Sequence, residues 1–459
     1  MVLVPVKYYD AISRYHFNIP MRIPTLLLFL PLLMQAFPAD GDWPRFRGPD
    51  NDGMARGDAP LHWSDTEHIK WKAEIAGRGH SSPVIWGDKV FVTTAVPTGV
   101  VPPAAPSEPS PSVGRGRGPG GNRGPQPEQK LMLMALDRKT GKLLWQQVAK
   151  VATPHEGYHP TYGSFASNSP VTDGKHVVAF FGSRGVYCYD MEGKKIWDKD
   201  FGIQLKMFMT FGEGAWPVIE GSKLLLLFDN EVDSFLVALD LATGKELWRT
   251  PRPDGNTNWS GPVVITYEGK KQVIVSATKK VHSYDLETGK PIWEVGGLGQ
   301  NTIPAPVAGD GMVFVMSGYR NPNLLAVKLG REGDLTGTDA IVWQNQRGNS
   351  YTASPVLHDG KLYVVTDSGM LSCFDAKTGK AYYQQQRLPK PYNFKASPVG
   401  VNGKLYLATE EGDVVIVKMG ETYEVLATNT LDGQIFIGTP AIADGEIYLR
   451  GQNTLFCIK

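Results

Sequence analysis

The chain has 459 residues, with 47 Lys and Arg against 46 Asp and Glu and a charged fraction of 20%. That near-neutral balance carries no basic excess for nucleic acid and no acidic block that would act as a solvating tail.

In chain order, residues 1–40 stand apart from everything that follows. Met21-Arg22 and the short apolar run Leu26–Met34 resemble a secretory signal, with Ala36 or Ala39 ahead of cleavage. The run falls short of the roughly 20 apolar residues that a transmembrane helix needs. No Cys follows it, so no lipoprotein anchor is expected. The expected location is the periplasm or outside the cell. Residues 41–67 form a leader, Trp43-Pro44-Arg45-Phe46-Arg47-Gly48-Pro49 and onward, predicted to pack across one end of the domain behind it.

From residue 68 to 459 one unit recurs. Ala135-Leu136-Asp137 … Thr140-Gly141-Lys142 … Trp145 returns as Cys188 … Trp197, Ala238 … Trp248, Ser283 … Trp293 and Cys373 … Tyr383. A period of roughly 40–50 residues signals stacked or radial repeats. Each copy reads as two short strands joined by a turn that Asp and Gly favour. Ahead of each stands a Pro: Pro83, Pro170, Pro217, Pro262, Pro306, Pro355, Pro398 and Pro440. Pro suits the first residue of a strand, where no ladder hydrogen bond is donated. The unit is therefore four strands, A to D, repeated eight times. This predicts an all-β, eight-bladed β-propeller of four-stranded antiparallel blades. The chain ends on a strand C, Thr454–Ile458, while Ile69–Ala73 reads as an orphan strand D. Their pairing would complete the last blade and close the ring.

Residues 97–130 are rich in Pro, Gly, Ser and Arg and read as a disordered insertion between strands B and C of blade one. Its Gly114–Gly118 tract resembles an RNA-binding arginine–glycine segment, a role that the charge balance argues against. Cys188, Cys373 and Cys457 share one register in non-adjacent blades. They read as small core residues rather than disulfide partners.

Loops D–A and B–C share one face and hold most of the length variation, as at 149–167, 200–213, 228–234, 294–303 and 317–323. Insertions gathered on one face of a repeat protein mark its binding side. The residues before each strand A should ring the channel mouth there. The candidate ligand-binding set is His80, Ser81, His159, Tyr162, Trp216, Asp229, Asn230, Asn258, Trp259, Asn301, Tyr351 and Lys395. His155-Glu156-Gly157-Tyr158-His159 spells a zinc-protease pattern, but that chemistry needs both His on one helical face. Pro154, Gly157 and Pro160 deny it a helix, so no metal site is assigned. No catalytic residue is assigned either.

The Ala-x-Asp-x-x-Thr-Gly-Lys-x-x-Trp units resemble the pyrroloquinoline-quinone (PQQ) enzyme repeat over roughly residues 68–459. The resemblance implies that Trp71, Trp145, Trp197, Trp248, Trp293 and Trp343 dock between neighbouring blades. Blade five keeps Trp343 without its Asp-x-x-Thr-Gly, and blade seven has lost nearly the whole motif. One branch of this family, the quinoprotein dehydrogenases, binds PQQ with calcium beneath a disulfide of two adjacent Cys, a pair this chain lacks. The other resembles BamB, a non-catalytic propeller that helps assemble outer-membrane β-barrels. The leader and long loops look similar to exported PQQ-like propellers of planctomycete-type bacteria. The expectation is a monomeric, non-enzymatic binding or scaffold protein of the cell envelope without a cofactor. Its partner would be an envelope or outer-membrane protein, or a small molecule or glycan at the channel mouth. A quinoprotein dehydrogenase using PQQ and calcium and a glycan-binding propeller are the alternatives.

Overall fold

The computed structural model describes residues 41–102 and 126–459. The signal-like segment 1–40 and the Gly114–Gly118 tract lie outside the described residues. Eight antiparallel sheets follow one another around a ring, each ordered A-B-C-D. Blade one comprises Val84–Trp86, Lys89–Pro97, Gln129–Asp137 and Leu143–Ala152. All eight strands A begin at the residue after the marker proline, from Val84 to Ala441. Strands A of neighbouring blades approach one another, which makes them the inner wall. Among the described residues, no helix is long and apolar enough to cross a membrane.

The ring closes as the sequence predicts. Ile69–Glu74 pairs antiparallel with Thr454–Ile458, placing Trp71 opposite Cys457. Arg138, on the C–D turn of blade one, seals the seam: its guanidinium donates to the Ala443 carbonyl (3.0 Å) and to Tyr448 Oη (2.9 Å). Both acceptors belong to blade eight.

The repeat motif has a mechanical meaning. Asp137 Oδ1 accepts the Thr140 backbone N–H (2.7 Å) and hydroxyl (2.6 Å), which fixes the turn. The same bonds recur at Asp240–Thr243, Asp285–Thr288 and Asp375–Thr378. These bonds hold the carboxyls of Asp137 and Asp375 below the usual carboxylate range. The turn glycine, at φ +71° in Gly141 and Gly244, lies flat under the Trp of the preceding blade. A Cβ on Gly244 would meet the Trp197 ring at 2.6 Å. The indole Nε1–H then donates to the carbonyl of the residue after the turn Asp: Trp71 to Arg138 (2.9 Å), Trp145 to Met191 (3.0 Å), Trp197 to Leu241 (2.8 Å). Trp248 to Leu286 (3.1 Å) and Trp343 to Ala376 (2.8 Å) repeat it.

Two further regularities aim the ring. The residue facing the Trp across the ladder is small: Ala135, Cys188, Ala238, Ser283, Ala326 or Cys457. That is why the three cysteines share a register; all are free and buried. A bulge also sits next to this position in every blade, including blade seven, where the motif is gone. Bulges re-aim a side chain locally, so the backbone device outlasts its sequence signature.

Trp293 departs from the pattern. Blade five has no Asp-Thr-Gly turn to receive it, so its Nε1–H donates to Gln272 Oε1 (3.1 Å) within its own blade. The chain after strand C of blade five instead lays Gly333–Asp334 parallel along Trp293 and Glu294. Of the expected insertion at 97–130, residues 103–125 lie outside the described residues, and its two ends belong to strands. Strands B and C pair as far as Pro97 and Gln129, and Thr98 N–H still donates to Glu128 O (2.9 Å).

Trp145→Ala removes a ring and leaves a cavity and an unpaired Met191 carbonyl, an expected cost of about 3–5 kcal/mol. Gly244→Ala, in a left-handed conformation, should cost at least about 1–2 kcal/mol from backbone strain alone. Urea unfolding followed by tryptophan fluorescence measures both.

Candidate functional site

Inside the ring, residues 43–55 of the leader lie along the inner strands, while the rest runs outward over blade seven, where Asp58 meets Lys404 and Trp63 N–H donates to Asn429 Oδ1 (3.0 Å). Trp43 exchanges both backbone hydrogen bonds with Ile85 of blade one (2.9 and 2.8 Å). Pro44 O accepts from Thr172 of blade two (2.9 Å), and Gly53 and Ala55 pair with Gly400 of blade seven. Arg47 is wholly buried; its guanidinium donates to the carbonyls of Pro355, Pro398 and Asp52. The leader therefore spans the inner wall from blade one round to blade seven. Its Phe46 ring rests on Trp216, 4.4 Å between centroids.

Above Phe46 a funnel of about 770 Å3 opens on the face carrying the D–A and B–C loops. The volume lies within the roughly 300–1,000 Å3 typical of small-ligand sites. The residues before the marker prolines form its throat. There the Ser and Thr hydroxyls bind the blades together. Ser169 Oγ accepts from Ser82 N–H, Ser397 Oγ from Ser354 N–H and Thr439 Oγ1 from Ser397 N–H, at 2.9–3.0 Å. Each bond ties one blade to the next.

Eight of the sequence-predicted residues converge on the funnel: His80, His159, Tyr162, Trp216, Trp259, Asn301, Tyr351 and Lys395. His159 stacks on Tyr162 at 3.8 Å, and Lys395 Nζ lies 4.8 Å from the centre of the Tyr162 ring. Lys395 Nζ also meets Asp367 Oδ2 (3.3 Å) and Glu410 Oε1 (3.1 Å). Burial alone would depress the ammonium, but the two carboxylates outweigh it and hold Lys395 above its ordinary range. Asp367 is a hub: its oxygens also accept the backbone N–H groups of Tyr351 (2.9 Å) and Thr352 (3.0 Å). Tyr351 in turn packs on Tyr319 at 5.3 Å. Trp259 donates its Nε1–H to Gly212 O (2.7 Å), which fixes the ring plane.

Four predicted residues lie outside the lining. Ser81 is buried behind it, its hydroxyl and carbonyl accepting from Arg450. Asp229 and Asn258 belong to a sealed cluster in which Arg252 donates to both Asp229 oxygens (2.7 and 3.0 Å) and Asn258 to Asp229 (3.1 Å). Asn230 closes its own loop through the N–H of Val232 (2.9 Å) and the carbonyl of Asp233 (2.7 Å). Loop polar residues with local backbone partners have little left for a ligand.

Sequence reading missed Phe46, Phe208, Phe211, Glu213, Tyr319 and Asp367, all of which line the funnel. Phe208, Phe211, Glu213 and Tyr319 lay within or at the edge of loops already marked by their length. Phe46 sits in the aromatic leader, whose place in the channel no spacing rule reveals. Glu213 also borders a smaller cavity of about 40 Å3. Burial pushes its carboxyl up, against two hydrogen bonds from Ser183 (2.7 and 2.6 Å).

The zinc-like motif is divided by the fold. His155 Nε2 contacts Leu205 O (2.7 Å) and its Nδ1 meets Arg184 (2.9 Å), while Glu156 accepts from Met207 N–H (3.0 Å). Among the described residues, one group of metal-capable side chains converges, Asp254, His282 and Glu294 in blade four. It lies outside the funnel lining, and Lys280 Nζ already reaches Glu294 (2.8 Å) and Asp254 (3.8 Å).

His80 is buried, and desolvation, with Arg450 and Arg78 adding repulsion, pushes its imidazole down to about 3. The unfolded chain protonates near pH 6.5. Between these values the unfolded state binds the extra proton, so stability is full above about pH 6.5 and falls as the pH drops toward 3. His159, lowered chiefly by burial and then by Lys395, acts in the same direction. His80→Gln should flatten this acid limb in unfolding free energies measured from pH 7 to 3.

The comparisons with known proteins agree with this architecture. No curated protein matches the chain in sequence. Among solved structures it is similar to BamB from Moraxella catarrhalis, at 13% identity and TM-score 0.50, over 71% of this chain and 90% of that one. It is also similar in fold to a quinohemoprotein alcohol dehydrogenase from Comamonas testosteroni, at 11% identity and TM-score 0.59, over 91% and 80%. A europium-containing methanol dehydrogenase matches at 13% identity and TM-score 0.60, over 90% and 89%. At such identities these likenesses speak for the fold alone. The sequence itself matches, over residues 129–385, the PQQ-like repeat family described as outer membrane protein assembly factor BamB, and the chain belongs to that family.

Proposed function

We propose that this chain is an exported, non-enzymatic binding propeller of the cell envelope, which engages an outer-membrane or other envelope protein through its D–A and B–C loop face. The observation that carries this reading is the division of labour around the channel. Leader residue Phe46 lines the base of the funnel against Trp216, and the funnel has aromatic walls on the face where the variable loops gather. Proteins that bind through loops on a rigid ring concentrate variety on one face in this way. BamB-like membership supports a role in protein interaction. The aromatic leader and the signal-like segment support the planctomycete-type, exported affiliation.

The quinoprotein alternative draws support from the dehydrogenases of the same fold, but the residues of the funnel do not fit its cofactor. Asp367 and Glu410 are turned onto Lys395 rather than toward a shared cation site. The three cysteines lie buried in separate blades, away from the funnel lining.

A photo-crosslinking residue at Tyr162, on the funnel rim, should capture an outer-membrane protein in cells. The same residue at Lys139, on the opposite turns, should not. Equal capture from both positions, or dye-linked alcohol oxidation after loading with PQQ and calcium, would overturn the reading.

A further inference from the structure

Each blade ends on an outer strand D, and the far side of an edge strand carries a row of main-chain N–H and C=O groups without a ladder partner. Seven of the eight outer strands are covered, charged, short or broken. Pro291–Gly296 of blade four takes Gly333–Asp334 as a fifth, parallel strand. Val425–Thr430 of blade seven is met by the leader: Asn429 accepts from Trp63 N–H (3.0 Å) and donates to Leu61 O (3.0 Å). Lys195–Lys199 of blade two and Ile69–Glu74 of blade eight each carry three charged residues. Glu246–Pro251 of blade three holds an ion pair, Arg249 on Glu246 (2.7 Å), and ends at a proline. Ile341–Asn345 of blade five has five residues, and Ala381–Arg387 of blade six is broken by Gln385 at φ +51°. Charge, proline, irregularity and shortness are the usual guards of a strand edge.

Blade one lacks every one of them. Its outer strand, Leu143–Ala152, runs ten residues against five to seven in the other blades. Lys150 is its single charged residue, and that ammonium is already paired with Asp200 of blade two (2.5 Å). Leu143, Leu144, Val148 and Val151 stand 46–49% exposed along it. Among the described residues it pairs with strand C of its own blade and with no other strand. Strands B and C of this blade are nine residues long against five in blade two, so the sheet reaches further toward the loop face.

We infer that this edge docks an extended segment of another polypeptide as a fifth strand of blade one, a segment in which apolar and polar residues alternate beside an acidic flank. The main-chain row selects an extended strand, because strand addition draws its affinity from backbone hydrogen bonds. The exposed Leu and Val side chains select apolar residues opposite them. Charge selects the flank: from Arg138 to Ala152 the chain carries Arg138, Lys139, Lys142 and Lys150 and no acidic residue. A second copy of this chain is disfavoured for the same reason, since a two-fold pairing would bring two basic edges together. Blade four supplies the precedent within the molecule, its outer strand already holding an added one. The inference goes beyond the loop-face reading and does not depend on it.

The probe is a dye-labelled synthetic peptide, Asp-Thr-Val-Thr-Val-Thr-Val-Thr-Asp, titrated with the full chain by fluorescence anisotropy. A copy N-methylated at every Val and Thr keeps the side chains and loses the donors. Saturable binding is expected for the first peptide and at least tenfold weaker binding for the second. Val148→Asp should weaken binding roughly tenfold or more, while Ile196→Asp, at an exposed position on the outer strand of blade two, should leave it unchanged. Thermal melting of both variants checks that the ring remains folded, and light scattering is expected to show a monomer. No saturable binding of the first peptide, equal binding of the two peptides, unchanged binding by folded Val148→Asp, or a dimer that Val148→Asp dissociates would overturn the proposal. Tyr162 crosslinks that persist alongside such a failure would leave the envelope-binding reading standing.

Discussion

An indole laid on the neighbouring blade's turn is the contact that five of the eight seams repeat. It combines three requirements that must be met together: a turn glycine with no Cβ under the ring, a small residue opposite the Trp on strand C, and a bulge that swings the side chain outward. Burying an aromatic side chain contributes roughly 2–3 kcal/mol by area, and its N–H removes a carbonyl from the list of unpaired groups. Because each Trp belongs to one blade and its glycine to the next, the interaction couples neighbours instead of stabilising a blade alone. That is the nearest-neighbour logic of repeat proteins. Where blade five lacks the turn, a parallel two-residue strand covers Trp293 instead, so the seam stays filled by a different route.

The inner wall uses a second, polar version of the same idea. Ser and Thr before the strand A prolines accept an N–H from the preceding blade, so the throat is braced by hydrogen bonds while the periphery is braced by rings. The leader adds the third element. Its Arg47, deprived of carboxylate hydrogen bonds and pushed down to about 10 by burial, is held by main-chain carbonyls at the inner ends of blades six and seven. A guanidinium can satisfy several carbonyls at once because its donors form a fixed fork. The result is a channel whose inner wall carries the leader and whose loop face holds the funnel.

Within the funnel, the residues that look most reactive are those most fully engaged. Lys395 and Asp367 invite a catalytic reading by composition. In place they pair with each other and brace the Tyr351 loop and Glu410. The unpaired atoms of the lining residues, Trp216 Nε1 and His80 Nε2, are buried.

The sequence by itself determined the ring. Eight prolines, the Asp-Thr-Gly turns and the Trp register are local signals, each set by backbone conformation or by contact with the next repeat, so a linear string can carry them. The closing pair Ile69–Glu74 and Thr454–Ile458 was legible for the same reason, because an incomplete repeat at each end has one solution. The mouth of the channel was legible in part: His80, Trp216, Trp259 and Tyr351 stand at short offsets before the prolines. Only the tertiary structure decided the rest. Asp229, Asn230 and Asn258 sit on the same loops, yet turn inward to Arg252 and their own backbone. Phe46 reaches the funnel because the leader threads the channel. Both outcomes depend on which partner a side chain finds across the ring, and that information lies in distances between blades rather than in spacing along the chain.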